Sequence, residues 1–314
     1  MKRIQIAAVA LLALLTPAFT LTSTAQDSSE ETIFIDPLFQ YPQAPDSMRS
    51  INERSDFLVR HFWEPMNFKS KQPVDQNALN DAFQVFVSPM RWAQPEITDK
   101  AIKDLLANLA KNPLLSIQFT RAAEETLYGP RAIYWHDPTY LKFVNGLLSN
   151  KKVPAARKER YKHHKAVIEN TLIGQTPAKF DYETPTGNPS TFHPDGVLTV
   201  IEFGDPGCDD CRFAKLKMET DITFSDMVEK GQINVMFIIP DPDEGWQTQV
   251  ADYSPKWHVG ASDTVSDIYD LRTVPSFYVV GRDGKLLAKN TDYRQAIAIA
   301  VNQVQEAGQN NLQP

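Results

Sequence analysis

The sequence predicts two regions of different architecture: an all-α helical region, followed by an α/β domain in which helices flank a mixed sheet. Three observations predict it. Apolar residues recur at helical spacing from about residue 33 to 172. After Gly174 they gather instead into short β-branched runs separated by helix signals. The last of these runs leads through a turn into a return strand and a final helix, as a terminal hairpin and helix would.

In the first region, Ser50-Ile51-Asn52-Glu53 reads as a capping box, with serine and glutamate satisfying each other's free amides. Phe57, Leu58 and Phe62 follow on one face. Leu79, Phe83, Phe86 and Val87 form a second stripe. Thr98 is a candidate cap for a helix through Ile102, Leu105, Leu106 and Leu109, which Pro113 ends. Tyr140 to Leu148 repeats the pattern, and Pro154 suits the first turn of a basic helix running to Leu172. Five or six helices are expected, enough for a small bundle.

In the second region, Val197 to Phe203, Ile233 to Ile239 and Ser276 to Val280 are compact enough in β-branched and apolar residues to be strands buried on both faces. "GRDG" at 281–284 is a turn, and Lys285 to Lys289 is the return strand. Helices are expected from near Cys208, around Val265 to Leu271, and from Tyr293 to Glu306. The boundaries fall at 1–25 for a leader, 26–172 for the helical domain and 173–314 for the α/β domain.

A chain of 314 residues suits two domains. Its 42% apolar and 23% charged content belongs to a globular protein. A net charge of −7, with no basic patch interleaved with aromatics, speaks against a nucleic-acid partner. Met1-Lys2-Arg3, the apolar run Ile6 to Leu15 and small residues at Ser23-Thr24-Ala25 make the start a signal peptide cut before Gln26. The run is about half of the ~20 residues needed to span a bilayer, so a retained anchor is the weaker reading. The expectation is an exported, soluble, periplasmic protein with no stable membrane insertion.

That compartment gives meaning to the two cysteines, Cys208 and Cys211, in "FGDPGCDDCRFAKLK". A structural clip this tight contributes only about 2 kcal/mol in the chain-entropy model, a poor staple for so large a chain. A zinc site needs four ligands; there is no second cysteine pair, and His193 and His258 lack supporting spacing. A reactive dithiol is the better reading. Cys208 follows a buried strand and a turn and opens a helix, where free amides and the helix dipole favour a thiolate. Cys211 lies one turn further in. Glu202, a carboxylate in an apolar run, is expected to be buried with its pKa raised; the alternative is a solvent-facing strand residue. Trp246 and Trp257 bracket a long insertion and either line the rim of the site or pin the loop. The scattered His61, His136, His163 and His164 are expected on helix surfaces or in helix packing.

The strand–turn–Cys-x-x-Cys–helix unit and "TVPSFYVVGRDGK" resemble the thioredoxin-like family, and within it the extracytoplasmic thiol–disulfide oxidoreductases related to the cytochrome-maturation branch. "IGQTPAKF" at 173–180 resembles the opening of that branch. The resemblance covers about residues 173 to 314. It implies that Cys208 is the attacking cysteine, Cys211 the resolving one, and the pair a redox disulfide when oxidised. It further implies that Glu202 is a buried proton acceptor, that Pro275 is a cis-proline facing the site, and that the Val274 backbone pairs with substrate. The helical region resembles an uncharacterised module that precedes thioredoxin-like domains in exported proteins. Three departures change the substrate-facing surface: Gly207 stands where the family has tryptophan, "GDPG" replaces an aromatic-alanine stretch, and Asp209-Asp210 replaces the usual pair between the cysteines.

Together these readings predict an enzyme exchanging dithiols and disulfides on protein substrates. No metal and no organic cofactor are implied, and an unidentified electron-donor relay is required. Asp209 and Asp210 oppose a developing thiolate and bias the couple toward reduction. Gly207, Asp209 and Asp210 are expected, with Val274, to meet substrate. Two alternatives stay open: a scaffold protein using the domain as a platform, and a thiol peroxidase, which usually needs a threonine where Asp205 stands.

Overall fold

The computed structural model describes residues 36–194 and 196–310, and the expected leader at 1–25 lies outside them. Among the described residues, six α-helices precede the sheet: α1 (Ile51–His61), α2 (Gln76–Val87), α3 (Pro95–Leu109), α4 (Pro113–Leu127), α5 (Asp137–Ser149) and α6 (Glu159–Asn170). The Ser50 hydroxyl accepts the Glu53 amide and the Glu53 side chain returns to the Ser50 amide, so the capping box forms. Asp75 and Asn112 cap α2 and α4 with their side-chain oxygens, which accept the Ala78 and Leu115 amides. Phe62, Phe83, Phe86, Phe119 and Phe143 meet in the bundle core.

Local chemistry corrects three boundaries. Thr98 caps nothing, because Pro95 supplies the first helical turn of α3 and Gln94 the extended residue before it. Pro113 does not merely end α3: with the Asn112 cap in front of it, it opens α4, a helix the sequence reading did not separate. Pro154 precedes only a short 3-10 turn, Ala155–Arg157, and α6 starts at Glu159.

The second region is a sheet of β1 (Phe180–Glu183), β2 (Pro189–Phe192), β3 (Thr199–Phe203), β4 (Asn234–Ile239), β5 (His258–Ala261), β6 (Ser276–Val280) and β7 (Leu286–Thr291). Their order across it is β2-β1-β5-β4-β3-β6-β7. β3 runs parallel to β4, and β4 to β5. The remaining pairs are antiparallel, so the sheet is mixed. Strands β1, β2 and β5 escaped the sequence reading because each is four residues long and partly polar. Helices α7 (Asp209–Thr220), α8 (Ile222–Glu229), α9 (Trp246–Gln249) and α10 (Tyr293–Asn310) complete the region. The helix expected over Val265 to Leu271 is reduced to a 3-10 turn, Val265–Asp267.

Alternation along the strands gives the sheet two buried faces. Val200, Phe237, Phe277 and Val279 pack on one face with Ala214, Met218 and Ala296 of α7 and α10. Ile201, Phe203, Tyr269 and Tyr278 pack on the other. Trp246 and Trp257 are buried in the first core, so they pin the connection between β4 and β5.

Residues 36–310 belong to a single compact unit, and a buried ion network helps to hold its helices to its sheet. Asp137, at the start of α5, pairs with Arg272 and lies 2.6 Å from the Lys289 ammonium of β7. Asp270 lies 2.5 Å from Arg272 and 3.0 Å from Lys289. Burial opposes the charge on Asp270, but hydrogen bonds and attraction from Arg272 and Lys289 outweigh it and hold the carboxyl below its usual range. Tyr128 stacks directly on Tyr140, and His164 packs against the Tyr128 ring with its Nδ1 2.7 Å from the Tyr140 hydroxyl.

Candidate functional site

Every residue of β3 is buried, and the strand lies between β4 and β6 in the sheet. Its carboxyl end releases the chain into Gly204-Asp205-Pro206-Gly207. The Asp205 carboxylate accepts the Gly207 amide at 2.7 Å, and the Asp205 carbonyl accepts the Cys208 amide at 3.0 Å. These bonds turn the chain and set Cys208 at the N-cap of α7 in extended geometry.

At that position the sulfur takes the place of a capping oxygen: the Cys211 amide donates to Cys208 Sγ at 3.4 Å. The Asp205 amide points at Cys211 Sγ at 3.5 Å. Both thiols are free; Cys208 is partly accessible and Cys211 fully buried. Burial, and then its neighbour Cys208, push the Cys211 thiol far up. The accessible sulfur thus lies over the helix start and the guarded one behind it.

Glu202 is fully buried, one residue before the end of β3, and neither carboxylate oxygen has a hydrogen-bond partner. Its ladder neighbours are Phe237 on β4 and Phe277 on β6, so its face of the sheet is otherwise apolar there. Burial raises its pKa well above the carboxylate range, with a smaller contribution from Cys208. Gly204 shows how close this acid comes to the inner thiol. The position a Cβ would take on Gly204 lies 3.3 Å from both Cys211 Sγ and Glu202 Oε1, and 2.8 Å from Phe237 Cε2. Only glycine leaves that space open.

The Val274–Pro275 peptide is cis, and Pro275 directly precedes β6. Phe203 pairs with Ser276, which brings the start of β6 beside the end of β3 from which the Cys208 turn departs. Val274 is half exposed. Asn290, in left-handed geometry at a register shift between β6 and β7, accepts from the Arg272 amide at 3.3 Å and the Ser276 hydroxyl at 2.9 Å, pinning both ends of this segment. Gly207 and Asp209 flank Cys208 in the chain, and Asp209 and Asp210 form the first turn of α7. Asp209 is paired with Arg212, whose other arm donates to the Gly207 carbonyl at 3.1 Å. This pair lies in solvent, on the surface of the first turn of α7.

Residues 18–171 match the family model described as a domain of unknown function, DUF5106. No curated protein matches the sequence. Among solved structures, a thioredoxin-like protein from Bacteroides caccae superposes with a TM-score of 0.69 over 84% of this chain and 98% of that one, at 18% identity. The fold is thioredoxin-like. A conserved protein of unknown function from Bacteroides fragilis (27% identity, 41% of this chain and 98% of that one, TM-score 0.39) also matches. So does the thioredoxin domain of a thiol-disulfide oxidoreductase from Bacteroides vulgatus (19% identity, 42% and 98%, TM-score 0.38).

Two features near the site, outside the strands themselves, escaped sequence reasoning. The Asp137–Arg272 pair joins positions 135 residues apart, and no local spacing links them. Tyr253 lies in the connection between β4 and β5, where the only sequence signal was the pair of flanking tryptophans.

Proposed function

We propose that the chain is a thiol–disulfide oxidoreductase acting on protein disulfides. The observation that carries this reading is the pairing of an accessible thiol at a helix N-cap with a buried thiol behind it, over a buried and unpartnered acid. The Cys208 thiolate attacks one sulfur of a substrate disulfide, forms a mixed disulfide and expels the other sulfur as a thiolate. Cys211 then loses its proton to Glu202 and attacks Cys208 Sγ. The second substrate thiolate leaves, and Cys208–Cys211 becomes the disulfide, so two electrons pass to the substrate. A raised pKa suits Glu202 to take a proton from a thiol, because the proton affinities of donor and acceptor are brought together.

The half-exposed Val274, beside the cis peptide, offers its backbone to an extended substrate segment as an added strand. Gly207, Asp209 and Asp210 complete the rim. The negative charge of Asp209 and Asp210 beside the Cys208 thiolate is the proposed source of the bias toward reduction. Export to the periplasm, a membrane-side electron donor that restores the dithiol, and a division into helical and thioredoxin-like domains near residue 172 belong to the same proposal. Among the described residues no helix is long and apolar enough to cross a membrane.

Mixed-disulfide trapping tests the reading. Cys211→Ser, which can attack but not resolve, should accumulate covalent adducts through Cys208, identified by mass spectrometry of the exported fraction. An adduct yield no higher than that of the Cys208→Ser,Cys211→Ser double variant would falsify it.

A further inference from the structure

The connection from Pro240 to Trp257 brings one more titratable group to the buried acid. Tyr253 packs its ring against Phe237, with centroids 4.7 Å apart, and Phe237 is the ladder neighbour of Glu202. The Lys215 ammonium lies 4.9 Å from the centre of the same ring, and Lys215 stands one turn beyond Cys211 on the same face of α7. The ring is thus wedged between the neighbour of Glu202 and the neighbour of Cys211. Its hydroxyl is buried and lacks a hydrogen-bond partner, as are both carboxylate oxygens of Glu202.

Three unpartnered polar atoms on one side of a sheet are an unusual accumulation, since buried polar groups are nearly always paired. A hydroxyl offers one proton to donate, and a carboxylate offers only acceptors. We propose that Tyr253 is a positioning residue for the proton transfer, its hydroxyl donating a hydrogen bond to Glu202 when that acid is ionised and so setting the affinity with which Glu202 takes the Cys211 proton.

The charged and titratable surroundings agree with this assignment. Cys208 and Cys211 of α7 face Glu202, while Lys215 and Glu219 of α7 and Asp252 of the connection face Tyr253. Phe237 and Phe277 contribute no charge from the flanking strands. Burial, followed by the negative charge of Glu202 and Cys211, pushes the Tyr253 hydroxyl far up, so it keeps its proton and remains a donor. The inference rests on the oxidoreductase reading for its purpose, but not for its test.

The test is the titration of the Glu202 carboxyl carbon by NMR in the reduced full chain, its signal assigned by its loss in Glu202→Gln. A bond to the charged form favours that form, so Tyr253→Phe should raise the midpoint, increasing proton affinity by about threefold or more, half a pH unit. Replacing Tyr253 with difluorotyrosine, a stronger donor, should lower it. The pH profile of insulin reduction should move in the same directions. A merely structural Tyr253 would alter thermal stability and leave the titration in place. Coincident midpoints for wild type, Tyr253→Phe and difluorotyrosine overturn the proposal. Absence of insulin reduction by wild type, with the midpoints still moving, removes the enzymatic reading and leaves Tyr253 as the partner of Glu202.

Discussion

A buried carboxylic acid without a partner is a burden on the fold, and Glu202 is one. Its ordinary pKa is 4.5, and the folded value is raised well above it by burial and by Cys208. The sign follows directly: the neutral carboxyl contributes its full stability below pH 4.5, and that stability is lost as pH rises through the folded value. Glu202→Gln should flatten this alkaline loss, read as denaturant midpoints from pH 4 to 9, while lowering turnover about a hundredfold or more as a removed proton acceptor does. A variant that keeps wild-type turnover would remove the acid from the mechanism. The placement of Cys208, Cys211 and Glu202 was legible in the sequence because the information is local, a strand, a turn and a helix start; the cis bond at Pro275 was expected only from the family resemblance of the segment around it. The pairing of Asp209 with Arg212 was missed because charge was counted without geometry.

The β3–α7 turn is the element that builds the site, and Gly204 is its narrowest point. A methyl group there would meet Phe237 Cε2 at 2.8 Å and press on Cys211 Sγ and Glu202 Oε1 at 3.3 Å. Gly204→Ala should therefore cost about 1–3 kcal/mol of stability, the usual range for overpacking, and slow resolution more than attack, because it parts the inner thiol from the acid. Equal effects on both steps, measured by stopped-flow, would place the strain elsewhere. Elements themselves were legible in proportion to their apolar density. The fully buried β3 and β6 were found from sequence, while the short, part-polar β1, β2 and β5 were not. Proline was read as a stop at Pro113, where the Asn112 cap made it a start.

At the scale of the whole molecule, the helical region is tied to the segment that carries Val274 and Pro275. Arg272 stands two residues before Val274 and bonds Asp137 of α5 and Asp270, while Lys289 of β7 closes the network. Removing one member leaves buried charge uncompensated, so Asp137→Ala should cost about 3 kcal/mol. Because Arg272 would lose its tie to α5 and keep only Asp270, KM for a protein disulfide should rise more than kcat falls; an unchanged KM would confine the network to a structural role. None of this was legible in the sequence, since its members come from distant segments that only the fold unites.

Cys208 and Cys211 are proposed to perform dithiol–disulfide exchange in the reducing direction. The most direct measurement is the reduction of insulin disulfides by catalytic amounts of the wild-type chain and of Cys208→Ser, with dithiothreitol as donor. Wild type should accelerate insulin precipitation well beyond the donor alone, and Cys208→Ser should match the donor alone. Equal, negligible activity in both proteins would contradict it and leave the thioredoxin-like fold as a binding platform.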